Sequence, residues 1–252
     1  MWDAFRISRA LRGDFINELE ENFQIIVPFY NDGDNFKKFV NIVDDMEVGE
    51  NTFIFLDNGS VTNEIEEFSK KNERKVWKVV KSKENLGFGG GIKYAANFVE
   101  KDYVAWMPGN LKLNPKDVYE VINKQALVEK YLYIKCRRFG RPFIDSLKTM
   151  IFGIAVSLYF NKFIYDAGGT PNLIHKDFFS IPKKFPNDFS FDIFVYFYCL
   201  VNNFKILRPK IKYTTRLHGN SHWQNGLISE IKLTLDVFKY KKDWKEIANF
   251  KF

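Results

Sequence analysis

The sequence predicts an α/β fold built on a mostly parallel sheet. Short apolar runs that suit buried strands alternate with segments of about ten residues that have helical spacing. Each apolar run also ends in a polar or glycine-rich turn. Such alternation is typical of βαβ units, whose ligands bind beyond the carboxyl ends of the strands. We therefore expect a single α/β domain over residues 1–252, with its site at that edge of the sheet.

Four strands and three helices are predicted in the first half of the chain. The strand sequences are apolar runs with many β-branched and aromatic residues, as expected for strands buried on both faces. The predicted strands are Gln24–Pro28, Asn51–Leu56, Val76–Val80 and Tyr103–Met107. The predicted helices are Asp34–Val43, Val61–Lys71 and Gly91–Glu100.

The second half of the chain is less regular. Ser190–Asn202 has the pattern of an aromatic helix, Lys205–Tyr213 is predicted as one strand, and Leu227–Tyr240 as an amphipathic helix. Met150–Phe160 is apolar but too short to span a bilayer. This stretch is typical of a buried core helix or of a helix that lies in a membrane interface.

The positive charge is concentrated near the end of the sequence. The net charge is +7, and Lys205–Phe252 holds eleven Lys and Arg against four Asp and Glu. A basic region of this kind can face anionic lipid, nucleic acid or a phosphorylated substrate. Since no RNA-binding signature accompanies it, we do not expect nucleic acid as a partner. Aromatic residues make up 17% of the chain, which fits an aromatic core or rings at a membrane interface.

Cysteine usage and the first residues indicate the compartment. Cys136 and Cys199 are the only cysteines, so the sequence has neither zinc-ligand spacing nor a disulfide framework. Residues 1–22 are charged throughout and lack the apolar core of a signal peptide. We therefore expect a cytoplasmic protein, or one bound to the cytosolic face of a membrane.

Two polar turns carry the first functional hints. In Asp57-Asn58-Gly59-Ser60, a carboxylate follows an apolar strand and could accept a hydrogen bond from a nucleobase or a ribose, although such turns are also common structural devices. The run from Asn85 to Gly91 contains four glycines before a predicted helix. Backbone N–H groups at a helix start can bind phosphate, but this run has neither the Walker A nor the dinucleotide-binding spacing.

Taken together, these motifs resemble a known enzyme family. Val27-Pro28 with Asn31, Asp57-Asn58-Gly59-Ser60 and Asn85-x-Gly87 resemble, in order and spacing, the nucleotide-binding half of family 2 glycosyltransferases, which have the GT-A fold. Asp166 with Gly168 and Gly169, and Arg216-x-x-Gly219-x-Ser221, resemble the polyprenyl-phosphate mannose and glucose synthase branch. The resemblance implies a nucleotide-sugar-binding half (24–110), an acceptor half (111–223) and a basic C-terminal helix and tail (224–252).

The resemblance also implies roles for individual residues. The implied donor-binding residues are Pro28, Asn31, Asp57, Asn85, Gly87 and Asn110. The implied acceptor-binding residues are Arg137, Arg138, Arg141, Arg216 and Ser221, where guanidinium groups suit a phosphate. Asp166 is the first candidate to position the acceptor or act as base, and Asp192 the second.

One position departs from the family pattern. Where the family has Asp-x-Asp to hold Mg²⁺ or Mn²⁺, this sequence has Pro108-Gly109-Asn110, and hard cations prefer anionic oxygen ligands. Three explanations stay open at this point. Asn110 and His218 could form a weak metal site with help from Asp166, cationic side chains could replace the metal, or activity could be lost.

The sequence therefore predicts an inverting glycosyltransferase. It would move a sugar from a UDP- or GDP-linked donor to polyprenyl phosphate or a glycan, with an anionic membrane surface as a further partner. The alternative is a non-catalytic GT-A-like protein that binds a sugar nucleotide or a lipid phosphate. A nucleotidyltransferase is a weaker alternative, because its glycine-rich signature near the N-terminus is absent.

Overall fold

The structure is a computed structural model, which describes residues 22–72, 75–125, 127, 129–181, 185–213 and 236–240. Three predicted site residues, Arg216, His218 and Ser221, lie outside this part of the chain. Most of the predicted helix Leu227–Tyr240 lies outside it as well.

Strands and helices alternate along the described chain. The strands are β1 (Phe23–Phe29), β2 (Phe53–Asp57), β3 (Trp77–Lys81), β4 (Tyr103–Trp106), β5 (Leu132–Lys135), β6 (Arg137–Phe139), β7 (Asn172–His175), β8 (Lys205–Leu207) and β9 (Lys210–Lys212). The helices are α1 (Gly33–Asp44), α2 (Glu64–Lys71), α3 (Gly87–Ala96), α4 (Pro115–Asn123), α5 (Phe143–Phe160) and α6 (Phe191–Val201). A short 3₁₀ helix (Lys176–Ser180) follows β7.

Seven strands form the central sheet in the order β3-β2-β1-β4-β7-β5-β8. Pairing is parallel except on the two sides of β7, which runs antiparallel to β4 and β5. The predicted mostly parallel sheet is thus confirmed. A second, two-stranded sheet pairs β6 with β9 in parallel. The central sheet contains strands from both predicted halves of the chain.

Alternate side chains of the sheet enter two separate cores. Ile25 and Val27 of β1 face a core formed with α1, α2 and α4, whereas Ile26 faces a core formed with α3, α5 and α6. The first core is rich in phenylalanine, with Phe29 and Phe36 ring centroids 5.4 Å apart in an edge-to-face contact. Many of the chain's aromatic residues therefore fill the interior.

The second half differs most from the predicted elements. Strands β5, β6 and β7 and helix α4 were not predicted, and the predicted strand Lys205–Tyr213 is interrupted between β8 and β9. Pro209 lies at this interruption and lacks the N–H that a continuous ladder needs. Helix α3 begins at Gly87 rather than at Gly91, because the glycines form its first turn.

Helix α5 is longer and more exposed than a core helix. It spans 18 residues, of which only Gly153 and Val156 are buried. Phe143 and Leu158, near its two ends, are 80% and 79% exposed. By length and composition alone the helix could cross a membrane, a test that core helices and signal sequences also satisfy. The interpretation of this stretch as a buried core helix is therefore wrong.

Candidate functional site

The loops that follow β1 and β2 are joined by hydrogen bonds. The backbone N–H of Asn31 donates to Ser60 Oγ at 3.0 Å, and that of Val61 donates to Asn31 Oδ1 at 2.9 Å. Asn31 has a φ of +50°, a left-handed conformation that asparagine tolerates better than most residues. Two predicted donor-site segments thus lie side by side at the carboxyl ends of β1 and β2, near the partly exposed Pro28.

Asp57 ends β2 with only half of its carboxylate satisfied. The residue is 1% exposed, and its Oδ1 accepts from the backbone N–H of Ser60 at 2.9 Å. Its Oδ2 is buried and accepts no hydrogen bond from the described residues, and Lys81 Nζ lies 3.8 Å away, bonded to Glu66. A buried carboxylate oxygen without a donor is costly, so this atom is suited to a donor from a ligand.

Asn85 and Gly87 are positioned by Asn58. The Nδ2 group of Asn58 donates to the Gly87 carbonyl at 3.0 Å and to Asn85 Oδ1 at 3.3 Å. Asn85 Oδ1 also accepts from the backbone N–H of Gly87 at 2.9 Å, which closes a local turn. The structure therefore brings the loops after β1, β2 and β3 together, as the strand-end pattern predicted.

The glycines of α3 serve close packing. A Cβ at Gly87 would meet the carbonyl oxygen of Asn187, and one at Gly89 would meet the Phe191 side chain. Gly87 also has a φ of +72°, which favours glycine. These contacts hold α3 against the segment that leads into α6. They give the glycine run a structural explanation that does not involve phosphate.

The segment at the end of β4 does not fit a divalent metal. Asn110 Oδ1 already accepts from the backbone N–H of Lys112 at 3.2 Å. Gly109 packs on the Phe29 ring, which leaves no space for a side chain. Within the described residues, no three His, Cys, Asp or Glu side chains are grouped to hold one metal ion. Since divalent cations need several oxygen ligands, the donor set here is insufficient.

Arg138 and Asp166 form a tightly bonded ion pair. Arg138 donates to Asp166 from Nη2 at 2.5 Å, from Nε at 3.2 Å and from its backbone N–H at 3.0 Å. Burial would raise the pKa of Asp166, but the charge and hydrogen bonds of Arg138 outweigh it and lower that pKa. Both residues were predicted to contact the acceptor. In the structure they are bonded to each other.

Asp192 lies in a separate polar network. Its Oδ1 accepts from Trp106 Nε1 at 2.7 Å and its Oδ2 from Asn172 Nδ2 at 3.3 Å. Burial raises the pKa of this carboxyl, so Asp192 has more basic character than Asp166. Fully buried Lys135 completes the network, donating to Asn172 Oδ1 at 3.1 Å and to the Gly169 carbonyl at 2.9 Å. Burial lowers the pKa of Lys135 to about 8.

Three cations surround the ring of Tyr213, just after β9. Arg138 Cζ lies 5.5 Å, Arg141 Cζ 5.8 Å and Lys112 Nζ 5.8 Å from its centroid, distances typical of cation–π contacts. We call these four residues the Tyr213 cluster. Arg137 is not part of it and donates to the Arg208 carbonyl at 3.3 Å, because successive residues of β6 face opposite sides.

Sequence reasoning missed Lys112, Lys135, Arg208 and Tyr213. Arg208 Nη1 donates to Tyr196 Oη at 2.6 Å, and Nη2 donates to the Tyr165 carbonyl at 2.8 Å beside Asp166. Lys135 carried a usable signal, since a lysine inside the apolar strand LYIK needs buried partners. For the others no local pattern distinguishes them from surface residues.

Comparison with known proteins places this arrangement in a family. A model of the family described as Glycosyl transferase family 2 matches residues 24–175, which is more than half of the chain. No curated protein sequence matches the chain.

The chain is similar to solved structures of glucosyl-3-phosphoglycerate synthase from Mycobacterium tuberculosis. The complex with UDP has 14% identity and a TM-score of 0.62, covering 94% of this chain and 84% of that chain. The complex with Mn²⁺, UDP-glucose and phosphoglyceric acid has 15% identity and a TM-score of 0.64, covering 94% and 85%. At these identities the likeness establishes the shared GT-A fold.

These findings confirm the predicted fold and the predicted enzyme class. The family match spans β1 to β7 and includes the joined loops, the Asp57 carboxylate and the segment after β4. It leaves the polyprenyl-phosphate branch and the individual residue roles as predictions. The chain belongs to glycosyl transferase family 2.

Proposed function

We propose that this glycosyltransferase takes its sugar from a UDP- or GDP-linked donor and transfers it with inversion to polyprenyl phosphate. The observation that carries the donor is Asp57 Oδ2, a buried carboxylate oxygen at the carboxyl edge of the sheet that has no hydrogen-bond donor in the part of the chain that the structure describes. A base N–H or a ribose hydroxyl would supply that hydrogen bond. The UDP and UDP-glucose in the similar solved structures support a nucleotide-sugar donor.

The remaining donor contacts follow from the joined loops. Pro28 and Asn31 would line the nucleoside pocket beside Asp57, and Asn85 with Gly87 would lie near the ribose and the diphosphate. In the transfer step, an acceptor oxygen attacks the anomeric carbon from the side opposite the diphosphate. The new carbon–oxygen bond forms as the bond to the diphosphate breaks, and the diphosphate leaves with that electron pair.

A phosphate acceptor fits the acceptor half better than a hydroxyl does. A phosphate oxygen is already ionised at neutral pH, so the attack needs no general base. Asp166, with its pKa lowered by Arg138, is poorly suited to be that base. Its role would instead be to position Arg138 toward the acceptor phosphate, with Arg141 beside it on Tyr213. If the acceptor is a glycan hydroxyl, Asp192 is the better base.

Helix α5 supports a lipid-linked acceptor. Its exposed apolar residues are Phe143, Ile144, Leu147, Met150, Ile151, Ile154 and Leu158. The helix starts just after Arg141 and leads through exposed Phe163 and Tyr165 to Asp166, so the segments at its two ends meet in the Arg138–Asp166 pair. An exposed apolar face beside cationic side chains is suited to the interface of an anionic membrane.

Donor and acceptor can be tested together by assay. Purified enzyme is incubated with radiolabelled UDP-glucose or GDP-mannose and either polyprenyl phosphate in detergent or a soluble oligosaccharide. We expect sugar to appear on the lipid, with release of the nucleoside diphosphate. Transfer to the oligosaccharide alone would replace the lipid acceptor by a glycan. Neither transfer nor donor hydrolysis with a panel of UDP- and GDP-sugars would overturn the proposal.

Membrane binding provides an independent test. We expect the protein to float with anionic liposomes at low salt and to be released at high salt. The attraction of each well-placed Lys or Arg to anionic lipid is worth about 1 kcal/mol, and salt screens it. Ile154→Ser with Leu158→Ser should reduce flotation. Val61→Ser is the matched control, since Val61 is 81% exposed in a loop on the donor side. Equal flotation of the double variant and the wild type would remove α5 from the membrane contact.

A further inference from the structure

The two-stranded sheet of β6 and β9 has one face turned to the interior. Ile211 of β9 is 2% exposed and belongs to the phenylalanine-rich core, where α4 packs against β9. Arg138 of β6 is registered with Ile211, and registered residues of paired strands lie on the same face. The Arg138–Asp166 pair is therefore on the inner side of this small sheet.

The opposite face carries cations and one aromatic ring. Arg137 is registered with Lys210 and Phe139 with Lys212, so these four side chains lie together on the outer side. Lys210 and Lys212 are exposed, and Phe139 is 49% exposed. Neither strand contains an Asp or a Glu. We call these four residues the β6–β9 outer face.

The positive charge of this face is not neutralised within the described part of the chain. No ion pair joins Arg137, Lys210 or Lys212 to a carboxylate among the residues that the structure describes. Lys205, earlier on the same segment, is instead paired with Glu129 through an Nζ–Oε1 contact of 2.6 Å. An anionic surface would therefore meet three cations on the outer face without displacing a carboxylate.

The outer face adjoins the start of α5. A Cβ at Gly140 would lie 3.8 Å from Lys212 Cγ, so the Lys212 side chain passes beside the turn that leads into the helix. Arg141, in this turn, donates from Nη2 to the Asp145 carbonyl at 3.0 Å and so holds the turn against the first residues of α5. Phe143, which begins the helix, is 80% exposed. Cationic and apolar side chains are thus neighbours at the protein surface.

This combination favours a lipid surface over a nucleic acid. The phosphates of either would attract the cations. A nucleic acid, however, offers no apolar phase to the exposed apolar side chains of α5. A bilayer presents anionic headgroups directly beside an acyl layer, and its interface is where aromatic rings and lysines are commonly found together.

We infer that the β6–β9 outer face binds the anionic headgroups of a membrane, with the start of α5 entering the interface beside it. This inference rests on the proposed lipid-linked acceptor and adds the surface that orients the enzyme toward it. Arg138, which the proposed function assigns to the acceptor phosphate, is on the inner face of the same strand. A protein bound through the outer face would therefore hold its acceptor site close to the membrane.

The test compares binding to two kinds of vesicle by flotation. The vesicles contain phosphatidylcholine alone or phosphatidylcholine mixed with phosphatidylglycerol, and each kind is used at low and at high salt. We expect the wild type to bind the mixed vesicles at low salt only, because salt screens exposed charges. Lys210→Gln with Lys212→Gln should weaken this binding roughly thirty-fold, the combined effect of two well-placed lysines. Lys210→Arg with Lys212→Arg keeps the charge and should bind as the wild type does.

A matched control removes the same charge from another part of the molecule. Lys38 and Lys71 are exposed on α1 and α2, and Lys38→Gln with Lys71→Gln should bind the mixed vesicles as the wild type does. The inference is overturned if the two glutamine double variants lose binding equally, or if neither loses it. It is also overturned if the wild type binds both kinds of vesicle equally, or if it retains a labelled RNA but neither vesicle.

Activity in detergent keeps this inference apart from the proposed function. Transfer to polyprenyl phosphate in detergent needs no membrane, so Lys210→Gln with Lys212→Gln should retain it, whereas transfer to polyprenyl phosphate in the mixed vesicles should fall. Loss of transfer in detergent would place these lysines in the acceptor site and overturn the inference. A wild type that transfers sugar in detergent but binds neither kind of vesicle would overturn the membrane surface and leave the proposed acceptor standing.

Discussion

Two buried carboxylates at the same edge of the sheet differ in the hydrogen bonds that they accept. Asp166, beside β5 and β6, accepts hydrogen bonds from both the side chain and the backbone of Arg138. Asp57, at the end of β2, accepts one backbone hydrogen bond, and its Oδ2 has no donor among the residues that the structure describes. The first group is satisfied within the fold, whereas Asp57 Oδ2 has only Lys81 Nζ nearby, at 3.8 Å. The comparison separates a carboxylate that is bonded to an arginine from one that the proposed function assigns to the nucleotide.

The largest expected effect is on stability at the Arg138–Asp166 pair. Arg138→Ala leaves Asp166 as an uncompensated buried charge, so we expect the free energy of unfolding to fall by about 3–5 kcal/mol. Urea denaturation of the whole protein measures this. Arg141→Ala changes an arginine on the same ring whose Nη2 donates to the Asp145 backbone carbonyl, and it should cost less than about 1 kcal/mol. Equal losses for the two variants would contradict the distinction.

A smaller effect, on binding rather than stability, is expected at Asp57. Asp57→Ala should weaken binding of the nucleotide by about 1–3 kcal/mol, because the ligand loses a charged hydrogen-bond acceptor. Titration calorimetry gives the affinity, and Glu84→Ala, an exposed acid in the loop after β3, is the matched control. Unchanged affinity in a folded Asp57→Ala protein would remove this residue from the site.

The smallest effect concerns how the free energy of unfolding decreases at acidic pH. The pKa of Asp166 is lowered in the folded protein, so the pair stabilises the fold fully above the unfolded pKa of about 3.9. That contribution is lost as the pH falls through the folded pKa. We therefore expect the double variant Arg138→Met with Asp166→Asn to lose less stability than the wild type as the pH falls below about 4. Parallel curves from urea titrations would show that the pair is not the cause.

The two halves of the molecule differ in how much their sequences predict. In the donor half, parallel strands end in turns whose polar residues must meet at one edge, so Asp57 and Asn85 could be placed from their positions alone. In the acceptor half, β5, β6 and β7 are three or four residues long and one strand runs antiparallel. Such short elements have little periodicity to detect.

The cluster around Tyr213 shows why the rest of the site could not be predicted. Lys112, Arg138 and Tyr213 come from three separate segments; the pairing of β9 with β6 brings Tyr213 beside Arg138, and Lys112 reaches the ring from the segment before α4. Of the predicted acceptor arginines, Arg138 and Arg141 meet on the Tyr213 ring, whereas Arg137 lies apart from them. Their partners were not predicted, since ion pairing depends on tertiary packing that no local pattern encodes.

The break at Pro209 has a consequence for how this chain tolerates insertions. Before the break Leu132 pairs with Lys205, and after it Arg137 pairs with Lys210, with the same separation along the chain in both pairs. The two strands therefore bend together without slipping. One residue inserted on either side would shift this register and turn Arg138 and Tyr213 to opposite faces. A second insertion in the partner strand would restore the alignment, so that two lengthened segments fold where either alone fails.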